Sequence, residues 1–444
     1  MQITHKLPNG NVAHFVSTII KKDGEYINGL NLEKIEINNP NVIIPDYVDG
    51  KPVISISQAF KDSKISSIKL PETLIELRAG AFCRCAGLTE IKLPPNLKQI
   101  QSRVFNGCDS LERVDFNSEI TSIGDEAFYG CDSLKDVDLS KTKIEKIDAR
   151  SFAECAKLSS VNLPDTIVTI PKLCFAGCEN LQSVNFGTAL TEIGEHAFLS
   201  CRALKELDFS NTVVEKFYAS TFAFCTNLSV MTLSPFHTDL SALHKLPLSQ
   251  LNIPKENRIL TNIDGVVYRK EPKMLLYYPP CLKKEEYRLE DDCVAVASDT
   301  FKNCKFLKSI DFNNCKKIGP RCLMDSLFIQ NIKISENTKL IPLLFAFNCH
   351  NLNSISIPKN IEKIDSQAFK ASGLKKIRIE GTPNIESSAF DYISDKCNVK
   401  CVPNSCVEDF FKNEVNVDVT ISSLSSDINM FLNDISEEQE RKIE

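Results

Sequence analysis

The chain has 444 residues, 43% of them hydrophobic and 25% charged, which supplies a core and excludes a broadly disordered polypeptide. A formal charge of -6 and only 16 glycines argue against nucleic acid as the main partner and against glycine-rich phosphate loops. The apolar run LIPLLFAF at Leu340 to Phe347 falls far short of the roughly 20 residues of a membrane span.

Residues 1–49 read as an N-terminal capping segment. Alternation at Val12, His14 and Val16, and then at Leu32, Ile35 and Ile37, suits strands that cover an exposed apolar end. The opening stretch MQITHKLPNGNVAHFVSTIIKKDG has no apolar run long enough for a signal-peptide core, so the chain reads as unsecreted.

From 50 to 235 one phrase returns about every 23 residues, as in LERVDFNSEITSIGDEAFYGC and LQSVNFGTALTEIGEHAFLSC. Its phenylalanine falls at Phe60, Phe82, Phe105, Phe128, Phe152, Phe175, Phe198 and Phe222. A fixed period of this size marks a solenoid. The LxxIxL phrase alternates at its end and predicts a short strand with one buried face. No unit can bury that face alone, so units must stack and align their strands as a parallel sheet, with the phenylalanines as an internal spine. A cysteine holds one place three residues before the strand leucine, at Cys85, Cys108, Cys131, Cys155, Cys178, Cys201, Cys225, Cys304 and Cys349, with Ser63 and Ser372 as equivalents. That place wants a small side chain that tolerates burial and hydrogen-bonds weakly, which predicts reduced thiols. His196 fills a variable slot held elsewhere by Gln58, Glu126 and Gln367, so its nearness to Cys201 is a product of the repeat.

Residues 236–284 break the period and contain a β-hairpin, IDGVVYRKEPKMLLYYPP, with RKEPK as its turn. A second array occupies 285–395, with spine positions Phe301, Leu323, Phe345 or Ala346, Phe369 and Phe390. Residues 396–444 form a C-terminal cap and an acidic tail. In that tail Ile428, Phe431, Leu432 and Ile435 have helical spacing and Asp427 suits an N-cap. It reads as a helix folded back on the array or as one that binds a partner.

The polar position between the last two apolar residues of each strand faces outward. In the first array it runs Lys69, Lys92, Asp115, Asp138, Asn162, Asn185, Asp208 and Thr232, and in the second Asp311, Lys333, Ser356 and Arg378. Like charges on adjacent strands oppose folding, so Asp115 beside Asp138 points to a binding stripe over Asp115, Asp138, Asn162, Asn185, Asp208 and Thr232. A solvated polar face is the plain alternative. Mixed flanking charges at Glu112, Arg113, Lys135 and Asp136 suit a protein partner better than a small molecule.

No HExxH, GxSxG or P-loop phrase is present, so no enzyme activity and no cofactor are expected. Cys397, Cys401 and Cys406 have poor spacing for zinc, and no metal is expected there. Cys281 and Cys293 flank the hairpin base, where an oxidising environment would let them pair.

The phrase IGxxAFxxCxxLxxIxLP closely resembles the BspA-like, or Treponema pallidum type, leucine-rich repeats. Val42 to Phe60, VIIPDYVDGKPVISISQAF, is similar to that family's opening coil. The hairpin at Ile263 to Pro280 and the closing turn NVKCVPNSCVEDFFKN at Asn398 to Asn413 are similar to its other hallmarks. The resemblance implies an α/β repeat solenoid. This would be a right-handed leucine-rich-repeat superhelix with a parallel β-sheet on one face, short helical or 3-10 turns elsewhere and an interrupting β-hairpin. It also implies a non-catalytic protein that binds a host or matrix protein, or other cells, from a cell surface. An intracellular scaffold is the alternative.

Overall fold

The computed structural model describes residues 2–394, 396–415 and 418–423. A coil of about 23 residues cannot enclose its own apolar side chains, so each coil completes its core with its neighbours. The chain forms two such stacks, Met1–Asn262 and Ile263–Glu444.

The first unit opens with three antiparallel strands, β1 (Gln2–Lys6), β2 (Val12–Lys22) and β3 (Glu25–Glu36). They precede the array, and β2 presents inward the face opposite to the one the alternation picks out. Ala13 and Phe15 are fully buried, while Val12, His14 and Val16 are half-buried. Phe15, the largest apolar side chain of the strand, takes the buried face. β3 pairs in parallel with Lys51–Ile56, so the cap continues directly into the sheet of the array.

Two parallel ladders run along each unit, one more than the sequence suggests. The first carries the LxxIxL strands, such as Glu90–Lys92, Arg113–Asp115, Asp136–Asp138 and Ser160–Asn162. Their middle residues, Ile91, Val114, Val137 and Val161, are buried. The second is built from two-residue strands, such as Gln99–Ile100, Ser122–Ile123 and Lys146–Ile147, again with the isoleucine inside. The rest of each coil is turn. Among the described residues there is one α-helix, α1 (Cys406–Asn413), and one 3-10 helix, Ser241–Lys245.

Backbone geometry explains why the turns stay turns. The AFxxC segment passes through the left-handed region twice in most coils, at Glu126 and Gly130, Arg150 and Glu154, or His196 and Ser200. A left-handed residue every few positions stops a right-handed helix from propagating. The slot of His196 is one of these, at φ 57°, as it is at Glu126 and Gln367. The glycine of the IG phrase has a separate cause: a Cβ on Gly194 would stand 2.6 Å from the Lys172 amide nitrogen of the coil beneath.

The phenylalanine spine of the first unit is continuous. Ring centroids from Phe60 to Phe222 step by 4.9 to 5.7 Å, with the rings close to parallel. In the second unit the register resolves the ambiguous position. The Leu323 amide bonds the Phe345 carbonyl as the Phe128 amide bonds Ser151, so Ala346 holds the spine position and Phe345 the place before it. The Phe345 ring still fills the gap, 5.8 Å from Phe312 and 5.9 Å from Phe369.

The cysteine column is buried and hydrogen-bonded. Each Sγ donates to the carbonyl of the phenylalanine one coil earlier, from Cys108 to Phe82 at 3.1 Å through Cys225 to Phe198 at 3.1 Å. Ser326, a further member of the column, makes the same bond to Phe301 at 2.5 Å. Burial pushes the thiols of Cys155, Cys225 and Cys349 up to about 12. Such groups stay protonated and unreactive. Cys281 and Cys293 do not pair: both are free, and the Cys293 thiol bonds the Ala295 carbonyl at 3.2 Å.

The second unit begins with the predicted hairpin, Val266–Arg269 against Met274–Tyr277. It closes with strand Lys396–Cys401, α1 and strand Asp418–Ser423. The hydroxyl of Ser405 caps α1 by accepting the Glu408 amide. Phe411 packs 5.1 Å from the last spine ring, Phe390. The proposed tail helix around Ile428, Phe431, Leu432 and Ile435 lies outside the described residues.

Candidate protein-binding face

The outward row of the first unit stands where the alternation places it. In register, Lys92 lies beside Asp115, Asp138 beside Asn162, Asn162 beside Asn185, and Asp208 beside Thr232. Asp115, Asp138, Asn185 and Asp208 are exposed, and Asn162 and Thr232 half-buried. The Asn185 amide donates to Asn162 Oδ1 at 2.5 Å, so the middle of the row is an amide ladder.

The row is interrupted, which sequence spacing did not show. Arg113–Asp115 pairs with Glu90–Lys92, whereas Asp136–Asp138 starts a separate sheet. A second interruption separates Ser183–Asn185 from Glu206–Asp208. Asp115 and Asp138 are therefore not opposed on paired strands, and the like-charge argument loses its premise.

Each interruption precedes a coil of 24 residues whose strand ends in the same pattern, DLSKT at 138–142 or DFSNT at 208–212. Asp138 Oδ1 accepts the Ser140 amide at 3.1 Å and its hydroxyl at 2.7 Å. Asp208 Oδ1 accepts the Ser210 amide at 2.8 Å. Thr142 and Thr212 donate to the carbonyls of Leu139 and Phe209 at 2.7 and 2.8 Å. These bonds hold the longer turn, so two of the three aspartates in the stripe have a local structural role. The Ser140 hydroxyl and amide hold the Asp138 carboxyl below the usual carboxylate range. The recurring D-x-S-x-T pattern was the available signal for this role.

Asp115 differs. Its side chain makes no hydrogen bond or ion pair with any described residue, and neither do the side chains of its neighbours Lys92 and Arg113. Between Arg113–Asp115 and Asp136–Asp138 the surface sinks into a polar depression of about 600 Å³ lined by Asp115, Asp136, Asp138, Arg113 and Lys141. Glu112 and Lys135 pair across its margin at 2.6 Å, and Asp136 accepts the Ser160 hydroxyl at 2.6 Å. Asp115, Arg113 and Lys92 are left as uncommitted charges of this face, as is Lys141 in the lining.

The remaining candidates are structural. Cys397 and Cys401 are buried on one strand, while Cys406 is exposed at the start of α1. His237, which the sequence did not single out, is fully buried, its ring tilted against Phe217 at 4.4 Å and bonded through Nε2 to the Asp239 carbonyl at 2.8 Å. Burial pulls its pKa down and keeps it neutral. Among the described residues no helix is long and apolar enough to cross a membrane.

Comparison with solved structures gives bacterial leucine-rich-repeat proteins. One from Bacteroides ovatus is 22% identical over 93% of this chain and 98% of its own, with a TM-score of 0.51, and it shares the fold. A leucine rich cell surface protein from Faecalibacterium prausnitzii is 22% identical over 96% of each chain, at a TM-score of 0.45. A T. pallidum leucine rich repeat protein is 28% identical over 43% of this chain and 87% of its own, at 0.38. No curated protein sequence is significantly similar. A model of the BspA type leucine rich repeat region, six copies long, matches residues 55–172, 145–264 and 276–397. Most of the sequence falls within these matches, and the chain belongs to the BspA-type leucine-rich repeat family.

Proposed function

We propose that this protein is a non-catalytic binding module that recognises another protein through the outward face of its first unit, centred on Asp115. One observation carries the reading: the outward side chains of Lys92, Arg113 and Asp115 lie together without a partner among the described residues, beside a depression of about 600 Å³. Uncommitted charges of both signs on a rigid sheet suit electrostatic selection of a partner. The stripe extends through Asp138, Asn162, Asn185, Asp208 and Thr232, with Asp138 and Asp208 adding charge while they hold their turns.

The family resemblance favours a surface or host-interaction setting. The thiol content favours the alternative, an intracellular scaffold, because eighteen free cysteines suit a reducing compartment. Labelling intact cells with an impermeant reagent separates the two. For the face itself, Asp115→Asn, Asp138→Asn and Asp208→Asn together remove charge while leaving an oxygen to accept each turn amide. A partner captured by the wild-type chain should be lost from this variant at equal melting temperature, and equal capture refutes the stripe.

A further inference from the structure

The second unit carries a depression of different chemistry. Strands Asn331–Lys333 and Ser354–Ile357 meet at a single pair, Lys333 beside Ser356, whereas the pairings on either side run three and four residues. Where they part, a groove of about 780 Å³ opens along the strand ends. That size falls in the range of sites that hold a ligand or peptide segment.

Arg378 lines this groove with its side chain only 14% exposed, and its Nε donates to Glu380 at 2.9 Å. Its terminal nitrogens make no bond to a described residue. The hydroxyls of Ser309, Ser354 and Ser356 and the side-chain amide of Asn331, also in the lining, have no partner among the described residues either. Two of the three carboxylates present are committed, Asp311 to Lys333 at 3.0 Å and Glu380 to Arg378, while Glu336 is exposed. In the first unit the balance is reversed, since there the carboxylates line the depression and hydroxyls satisfy two of them.

A largely desolvated guanidinium with its terminal nitrogens open, backed by hydroxyl and amide donors, complements a carboxylate. The exposed Glu336 beside it would repel a polyanion such as a sulfated glycan, and it favours isolated carboxylates spaced along a chain. The groove crosses the rungs at Ser309, Asn331 and Ser354, so with about 4.8 Å per rung it accommodates roughly three to five extended residues. We propose that this groove binds an extended acidic peptide segment, with Arg378 as the carboxylate anchor. The proposal deepens the reading of the sheet as a protein-binding face, and it places the contact on a different unit from the aspartate row.

The test is fluorescence anisotropy of the full chain with a labelled octapeptide of alternating Glu and Ser. A Gln-for-Glu octapeptide and a heparin oligosaccharide serve as comparators. The Glu peptide should bind at least about tenfold more tightly than the Gln peptide. Arg378→Gln should remove that preference and Arg378→Lys should weaken it by a smaller factor. Ser356→Glu, which leaves Arg378 in place and adds a like charge, should also block binding. The Asp115→Asn, Asp138→Asn variant should bind as wild type, so failure of the first-unit stripe does not affect the outcome. Equal affinity for the two peptides, indifference to Arg378→Gln and Ser356→Glu in chains that melt normally, or preferential heparin binding would each overturn the proposal.

Discussion

Replacing Ala346 with phenylalanine restores the repeat consensus, and the packing says it will destabilise the protein. Ala346 holds the spine position by backbone register, and it and Phe345 are fully buried. The Phe345 ring already occupies the space between Phe312 and Phe369, at 5.8 and 5.9 Å. A second ring has no cavity to enter, and overpacking of this kind costs about 1–3 kcal/mol. Phe152→Ala makes the useful contrast. It empties a true spine position between rings 5.1 and 5.7 Å away and should cost about 3–5 kcal/mol. The exchange Phe345→Ala with Ala346→Phe should return stability to within about 1.5 kcal/mol of wild type, since volume is conserved. Urea unfolding followed by tyrosine emission suits the Ala346 variants. The chain has no tryptophan, and Tyr268, Tyr277 and Tyr278 are buried in the second unit while Tyr26, Tyr47, Tyr129 and Tyr218 are exposed in the first. A higher unfolding midpoint for Ala346→Phe would refute the packing argument.

Two further outcomes follow from the turns and the thiol column. With Ellman's reagent, Cys406 should react at once and the half-exposed Cys83 and Cys281 slowly, with the other fifteen thiols of the eighteen reacting only on unfolding. Rapid titration of more than three would contradict the buried column. Asp138→Ala should cost about 0.5–1 kcal/mol at neutral pH by analogy with capping residues, and Asp138→Asn clearly less. The folded-state pKa of Asp138 is depressed, so its contribution is present above the ordinary carboxylate range and lost as pH falls through the lowered value. The gap between wild type and Asp138→Ala in thermal melts should therefore close in acid, and a gap that widened there would reject the turn role.

The spine and the thiol column were legible because each depends on one large or one small side chain recurring at a fixed period. The second ladder was not. Its strands, such as Ser122–Ile123, are two residues long, too short for alternation to register against the turns around them. Only stacking makes them strands, by placing each beside its copy one coil away. The expectation of short helices on that side failed for a related reason, since residue types such as Glu126, Arg150 and His196 give no hint of a left-handed backbone. At Ala346 the period blurred because the ring moved one place along the chain while the volume stayed put.

For the binding face, the sequence located the side chains but could not distribute their hydrogen bonds. Asp115 and Asp138 look equivalent in a column of outward residues, yet Asp138 is committed to Ser140 and Asp115 to nothing. The difference comes from one extra residue per coil, which lengthens the turn after Asp138 and needs an acceptor to hold it. The same accounting separates Lys333, matched to Asp311, from Arg378, which keeps a free fork after Glu380 is satisfied. Recognition needs groups whose bonds folding has left open, because a group already paired gains little by exchanging one partner for another. In a repeat protein nearly every column position is paired with its copy on the next coil. Asp115 with Arg113 in one unit and Arg378 in the other are such open groups among the described residues, and they stand beside the rungs where the ladder thins, so contact with a partner is expected there.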